Sequence, residues 1–234
     1  MAKKRSPAQQ HKSSFVLKDI ILGGQDGLVN ILALVLGVAA ATSSQKVVIV
    51  SGLAALFAES IAMGAVAYTS SKSAYDYYTS MLAREKEEVK KNPQAGKKEI
   101  REIYKKKGFR GELLSKVVSK ITSNKKIWVD TMMAEELNLF PTGYRNPWKN
   151  AFIVGFASVG GSLIPLLPFM LVSIKTGIYL SFVFTISALI ITGIFKAKIT
   201  EQNPVRCSLE LAIIGTLAAI AGHLVGVGLD KLFF

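Results

Sequence analysis

The chain has 234 residues, half of them apolar, and a formal net charge of +13. Its apolar residues are concentrated in long blocks, which argues against an ordinary soluble domain and is typical of membrane spans. The single cysteine, Cys207, excludes an internal disulfide. The basic excess falls in the segments that flank the apolar blocks, where the retention of Lys and Arg on the cytoplasmic side accounts for it, so we predict no nucleic-acid partner.

Five apolar blocks are each close to the ~20 residues that cross a ~30 Å hydrocarbon core as an α-helix. They cover residues 20–41, 47–68, 151–172, 177–195 and 209–229. We therefore predict an all-α membrane protein with five transmembrane helices and a helical cytosolic domain inserted between the second and the third. The predicted domains are residues 1–71 (a basic head and two spans), 72–149 (the cytosolic domain) and 150–234 (three spans).

The distribution of Lys and Arg predicts the orientation of these spans. Basic residues are frequent in the head, in residues 72–149 and at positions 196–206, and these three segments share one side if five spans alternate. The other side receives only Lys46, Lys175 and Lys231. We expect a cytosolic N-terminus and a C-terminus on the far side. A cleaved signal peptide that ends near Ala39–Ala41 is the rival interpretation, but the first block is too long for one.

Two carboxylates lie inside the predicted spans, Asp26 in the first and Glu59 in the second. A charge at membrane depth costs several kcal/mol, so such an acid indicates a functional site. Asp26 shares a helix face with Asn30, and Glu59 shares one with Met63, because residues four apart are neighbours on a helix. These side chains can replace the hydration shell of a crossing ion, and carboxylates can exchange a proton for a metal.

In residues 70–146, apolar residues recur at helical spacing and predict several amphipathic helices. One continues out of the second span and ends near Asn92, Pro93 and Gly96, and the others cover residues 97–107, 111–121 and 125–139. Potential metal ligands occur in pairs three residues apart, so each pair shares one helix face. The pairs are Glu85 with Glu88, Glu99 with Glu102, and Met133 with Glu136. Glutamates combined with the methionines Met132 and Met133 would favour Fe²⁺ or Mn²⁺ over Mg²⁺ or Ca²⁺. Solvated ion pairs and methionines that fill a core are the simpler interpretation.

Several motifs together resemble one family. They are DGLVN at 26–30, GVAAA from Gly37, AESIAMGAVAY at 58–68, REKEEV from Arg84, EIREIY from Glu99 and MMAEELNL from Met132. These motifs resemble the vacuolar iron transporter family, and the resemblance extends from about Asp19 onward.

The resemblance implies a homodimer of five-span subunits with a three-helix cytosolic metal-binding domain, which moves Fe²⁺ and related ions out of the cytosol against protons. It places Asp26, Glu59 and Met63 on the path between subunits. It also places metal ligands at Glu85, Glu88, Glu99, Met132, Met133 and Glu136. Gly96 stands where the family has a further glutamate, so either Glu102 substitutes or the domain holds fewer ions.

We therefore predict a transporter rather than an enzyme, which exports Fe²⁺ and Mn²⁺ from the cytosol in exchange for protons and needs no prosthetic group. It would lie among membrane lipids, in a vacuolar membrane if the host is eukaryotic or the plasma membrane if it is prokaryotic. A membrane-anchored cytosolic metal buffer or sensor is the alternative. A di-iron oxidase would require Glu-x-x-His pairs, and neither His11 nor His223 is placed that way.

Overall fold

The computed structural model describes residues 7–42, 44–141 and 146–233, and in these residues the regular structure consists of α-helices. The helices are α1 (Pro7–Ala41), α2 (Gln45–Lys91), α3 (Pro93–Lys106), α4 (Gly111–Thr122), α5 (Lys125–Glu135), α6 (Pro147–Leu171), α7 (Ile174–Thr200) and α8 (Pro204–Phe233). The prediction of an all-α chain is confirmed within the described residues.

Five of these helices, α1, α2, α6, α7 and α8, are long and apolar enough to cross a membrane. This confirms the five predicted spans as candidates by length and composition. α2 is the longest, with 47 residues, or about 70 Å at 1.5 Å per residue. That is more than twice the ~30 Å hydrocarbon core. Its apolar first half, up to Tyr68, is by itself long enough to cross.

The chain divides into two compact units. The first, which we call the span unit, contains the residues up to Tyr68 and those from Trp148 onward. The second, which we call the middle unit, runs from Thr69 to Pro147. Each has its own buried core.

In the span unit, α1 is packed closely against its neighbours. Ile31, Leu32 and Val35 are buried in a core that also receives Leu56 from α2 and Phe169 from α6. Small residues let the backbones approach: a Cβ added at Gly222 of α8 would collide with the Ala33 carbonyl, and one added at Gly226 would collide with the Gly37 carbonyl. The small-residue pair Gly222 and Gly226 therefore serves as a helix contact, as small residues do in membrane bundles.

The order of contacts along the chain gives the helix directions. Gly23 meets Val154 and Gly27 meets Ser158, so α1 and α6 run parallel. Ala33 meets Gly222 and Gly37 meets Gly226, so α8 has the same direction. The contacts of α2 with α6, and of α7 with α8, are in reverse order. The starts of α1, α6 and α8 therefore share one end of the bundle with the ends of the apolar part of α2 and of α7.

The core of the middle unit contains residues from all four helices of this unit, including Val89 of α2, Ile100 of α3, Leu114 of α4 and Trp128 of α5. The helix predicted to start at residue 97 begins instead at Pro93, because the Asn92 side chain accepts a hydrogen bond from the Ala95 N–H at 3.2 Å and proline is tolerated in the first turn. α5 ends at Glu135 rather than 139, since Asn138 adopts a positive φ of 54°.

We expect Gly226→Leu to destabilise the span unit, because its Cβ would collide with the Gly37 carbonyl. Overpacking of this kind costs about 1–3 kcal/mol, or roughly 2–12 °C in melting temperature for a chain of this size. The measurement is thermal unfolding of the purified protein in detergent. Gly228→Leu is the matched control, because no described atom lies within 4 Å of a Cβ there. Equal melting temperatures for the two variants would contradict the proposed packing role.

Candidate functional site

The polar groups of the first two spans meet in the span unit. Nδ2 of Asn30 donates one hydrogen bond to Oδ1 of Asp26 at 3.1 Å and another to Oε1 of Glu59 at 2.8 Å. An amide nitrogen carries two hydrogens, so one side chain can bridge both carboxylates. The structure therefore joins the polar faces of α1 and α2 that the helical spacing indicated separately.

This polar cluster lies at the surface of the single chain. Asp26 and Glu59 are half-buried and Asn30 is exposed. Met63, one turn after Glu59, is also half-buried. Within the described residues, no group donates a hydrogen bond to Oδ1 of Asn30. Carboxylate, carbonyl and thioether atoms are therefore available at one face, and together they can replace the water shell of a divalent transition metal.

Two buried serines, Ser60 and Ser158, lie next to the cluster, and the sequence analysis did not single them out. Ser60, which follows Glu59, donates to Ser158 of α6 over 3.3 Å in a buried hydrogen bond. Serine is common in membrane helices and carries no distinctive spacing here, so the sequence offers no signal for this contact. The bond connects α2 to α6 directly beside Glu59, and it holds the carboxylate-bearing turn of α2 in place.

The second group of predicted residues lies in the middle unit, at a cleft of about 350 Å³. Glu85 and Glu88 of α2, Glu99 of α3 and Met132 of α5 line it. Glu136, directly after α5, interacts electrostatically with Glu85, Glu88 and Glu99. The structure therefore brings together four of the predicted carboxylates from three helices.

The electrostatics of this carboxylate cleft oppose ionisation. Burial raises the pKa of Glu85, which is 5% exposed, and the charges of Glu88, Glu136 and Glu99 raise it further. Burial also raises the pKa of Glu136, followed by the effects of Glu99 and Glu88. Like charges confined together favour protonation or a bound cation.

Arg84 partly offsets this repulsion. Its Nε lies 2.8 Å from Oε1 of Glu88, and that carboxylate raises the pKa of the guanidinium. Arg84 is a residue that the sequence analysis did not single out as part of the site. The i,i+4 spacing from Arg84 to Glu88 was the available signal.

Two predicted ligands are placed differently. Glu102 is exposed and pairs with Lys105 at 4.0 Å, and it is not among the described residues that line the cleft. Met133 is 2% exposed and packs in the core of the middle unit. In the described part of the chain, no three His, Cys, Asp or Glu side chains are close enough to hold one metal ion as they stand. The donor types fit a divalent transition metal, but their carboxylates would have to rotate toward it.

Gly96 lies in the wall of the carboxylate cleft and is buried. A Cβ at this position would lie 3.0 Å from Cζ2 of Trp128. The indole of α5 therefore occupies the space that a side chain at position 96 would need. In this chain, a glutamate there would require Trp128 to shift by a few tenths of an ångström.

Comparisons with known proteins give one consistent result. The sequence profile of the VIT family matches residues 17–227. Vacuolar iron transporter 1 of Arabidopsis thaliana is 35% identical over 207 residues, which are 88% of this chain and 83% of the relative. Vacuolar iron transporter 2 of Oryza sativa subsp. japonica is 36% identical over 207 residues, 88% of this chain and 84% of the relative. The vacuolar iron transporter of Plasmodium falciparum is 33% identical over 225 residues, 92% of this chain and 82% of the relative.

We expect Glu85→Gln to stabilise the metal-free protein at neutral pH. A carboxyl whose pKa is raised on folding binds more protons in the folded state, so its contribution to stability falls as pH rises from about 4.3, the value for an unfolded glutamate, through the raised pKa. Glutamine removes this loss. The melting temperature in EDTA should therefore exceed that of the intact chain at pH 7.5, and the difference should shrink toward pH 4.5.

Glu112→Gln serves as the control for this experiment. Glu112 is exposed and pairs with Lys116 on the same helix at 2.7 Å, and surface pairs of this type contribute little. The melting temperature of the Glu112→Gln variant should stay within about 1 °C of that of the intact chain. A melting temperature for Glu85→Gln below that of the intact chain at pH 7.5 would contradict the proposed repulsion among the carboxylates of the cleft.

Proposed function

The chain belongs to the VIT family, and on that premise we propose that it is a membrane transporter that removes Fe²⁺ and Mn²⁺ from the cytosol in exchange for protons. The destination is a vacuole-like compartment, or the outside of the cell if the host is prokaryotic. The observation that carries the proposal is the pair of carboxylates, Asp26 and Glu59, bridged by Asn30 within two candidate spans.

Charge balance explains how this pair would couple metal to protons. Two ionised carboxylates carry a charge of −2, which is costly at membrane depth. One divalent metal ion neutralises it, and so do two protons. The doubly ionised pair without a metal ion is therefore the unfavourable state. Transport would alternate between a pair that holds one metal ion and a pair that holds two protons. An acidic far side would favour release of the metal, because protons compete with it for the same oxygens.

Met63 would select among divalent ions. Thioether sulfur is a soft ligand that binds transition metals in preference to Mg²⁺ or Ca²⁺. Met63 lies four residues after Glu59, on the same side of α2, and it is half-buried. An oxygen-only path would not discriminate against Mg²⁺. The thioether would therefore give the path its preference for transition metals such as Fe²⁺ over Mg²⁺.

We propose that two copies form the path between them. Asn30 is exposed on the single chain, yet a polar amide in contact with lipid is unfavourable because hydrocarbon offers no hydrogen-bond partner. A second copy packed on this face would cover Asn30 and add a second set of ligands. Asp26, Glu59 and Met63 of each subunit would then line one path.

The orientation follows from charge. One end of the bundle contains the starts of α1, α6 and α8 and the end of α7. This end carries five basic residues: Lys18, Lys149, Lys196, Lys198 and Arg206. Basic residues near span ends are retained in the cytosol. We therefore propose that this end is cytosolic. The sequence of the middle unit lies between the apolar part of α2 and the start of α6, which are both at this end, so we propose that it is a cytosolic metal-binding domain.

In that domain the metal ligands would be Glu85, Glu88, Glu99, Glu136 and Met132, which the cleft and its electrostatics bring together. A bound cation would relieve the repulsion among the carboxylates. Glu102 and Met133 could join only after Glu102 leaves Lys105 and Met133 leaves the core. This cleft also supports the alternative function, a metal buffer or sensor anchored by the spans. Transport measurements separate the two functions.

We expect Glu59→Gln and Asp26→Asn each to reduce metal transport at least about tenfold, since each removes one of the two exchangeable charges. The measurement is Fe²⁺ entry into proteoliposomes that contain a metal-quenched dye, with and without an inside-acidic gradient. Asp76→Asn is the control, because Asp76 is an exposed acid of α2 paired with Lys72. The part of the metal binding that Glu85→Gln abolishes in calorimetry belongs to the middle unit, and it should be unchanged in all three variants. Entry that persists in both path variants would exclude the proposed path, and its absence from the intact chain would favour the buffer.

We expect Met63→Leu to lose selectivity while it retains transport. Leucine keeps the volume and removes the sulfur, so the ratio of Fe²⁺ to Mg²⁺ entry should fall about tenfold. Competition of Mg²⁺ with Fe²⁺ in the same liposomes measures this ratio. Met170→Leu, an exposed methionine of α6, is the matched control and should leave the ratio unchanged. An unchanged ratio in Met63→Leu would remove methionine from the selectivity mechanism.

A further inference from the structure

The middle unit carries a second cleft, lined by residues of α2 and α5, which the metal chemistry does not use. Its volume is about 570 Å³, within the ~300–1,000 Å³ typical of small-molecule sites. Its lining contains four lysines, three aliphatic residues and one acid: Lys86, Lys90, Lys125, Lys126, Leu82, Val89, Val129 and Asp130. We call it the basic cleft.

The four lysines come from two helices that face the same space. Lys86 and Lys90 lie one turn apart on α2, and Lys125 and Lys126 form the start of α5. In the part of the chain that the structure describes, none of the four forms an ion pair. By contrast, five other lysines of the middle unit pair with acids: Lys72, Lys91, Lys105, Lys107 and Lys116. The basic cleft therefore concentrates uncompensated positive charge against a single acid, Asp130.

The position of Lys125 and Lys126 adds a second argument. The N-terminus of a helix carries a partial positive charge, which favours anions and disfavours cations. α5 nevertheless begins with two lysines and has no acid in its first turn. An anion bound between α5 and α2 would compensate the helix dipole and the lysines at the same time.

The floor of the basic cleft is apolar. Val89 and Val129 are buried and Leu82 is half-buried. A simple inorganic anion would gain nothing from these side chains, whereas the apolar part of an organic ligand would bury surface against them. The lining therefore matches a ligand with clustered negative charge at one end and an apolar or ring portion at the other.

We propose that the basic cleft binds an organic anion that carries two or more phosphate groups. The phosphates contact the four lysines, which bind phosphate as point charges. The organic portion packs on Leu82, Val89 and Val129. The same chemistry occurs in soluble nucleotides and in the headgroups of phosphorylated inositol lipids, and the experiment separates these sources.

The test uses the full chain in phosphatidylcholine nanodiscs, in EDTA and at low salt. ATP, inorganic tripolyphosphate and dioctanoyl phosphatidylinositol bisphosphate are titrated in separate arms by calorimetry. We expect ATP or the lipid to bind more tightly than tripolyphosphate, because only these two can use the apolar floor. Binding of ATP identifies a soluble ligand, and binding of the phosphoinositide alone identifies a lipid headgroup. Both results support the site. Tripolyphosphate that binds as tightly as both organic ligands would overturn the role of the floor.

Paired lysine variants locate the binding. Lys125→Gln with Lys126→Gln should weaken it at least about tenfold, and Lys86→Gln with Lys90→Gln should do the same from the other wall. Lys97→Gln with Lys98→Gln is the matched control. These two lysines are consecutive and exposed on α3, and they do not line the basic cleft. This pair of substitutions should change the affinity less than about twofold. Melting temperatures confirm that each variant folds. Equal losses in all three pairs, or no binding of any ligand to the intact chain, would overturn the proposal.

Discussion

The close packing of α1 is the constraint on which the candidate path depends. Its glycines bring it against α6, and Ala33 and Gly37 bring it against α8. Lipid tails are as apolar as leucine, so burial of apolar surface does not drive helices together in a bilayer, and close backbone contact takes its place. Because neighbours surround most of α1, the turn that contains Asp26 and Asn30 is held against α2. A larger residue at Gly23 or Gly27 would collide with the backbone of α6 next to that turn.

Polar side chains complete this arrangement where the backbone cannot. Nε2 of Gln45, at the start of α2, donates to the carbonyl oxygens of Phe169 at 2.6 Å and Val172 at 2.9 Å, and so satisfies groups that the end of α6 leaves unpaired. Asn30 uses both of its hydrogens on carboxylates. In water each bond would contribute little, but a membrane offers no competing partner. Gln45 therefore fixes α2 against the end of α6, and Asn30 fixes α1 against α2.

The sequence predicted the parts that depend on local pattern. Hydropathy located the five long helices, and the motifs indicated the family that the profile match confirms. It could place Asp26 with Asn30 and Glu59 with Met63, since helical spacing alone decides these pairs. It could not show that Asn30 reaches Glu59, because that contact depends on how two helices pack. The start of α3 was wrong for a local reason: Pro93 was interpreted as a break, although after a capping Asn92 it begins a helix.

Gly96 and Trp128 show why a family pattern cannot be transferred position by position. The indole of Trp128 is 4% exposed and packs over Gly96, and its Nε1 has no hydrogen-bond partner within the described residues. Leaving such a group unpaired costs about 1–3 kcal/mol, so the packing of the ring must compensate. A glutamate at 96 would require the ring to shift by a few tenths of an ångström, and it would add another carboxylate to a cleft where burial and repulsion already raise the pKa of Glu85 and Glu136. In this chain, the glycine therefore leaves room for an aromatic ring in the wall of the carboxylate cleft, at a position where a glutamate would add charge.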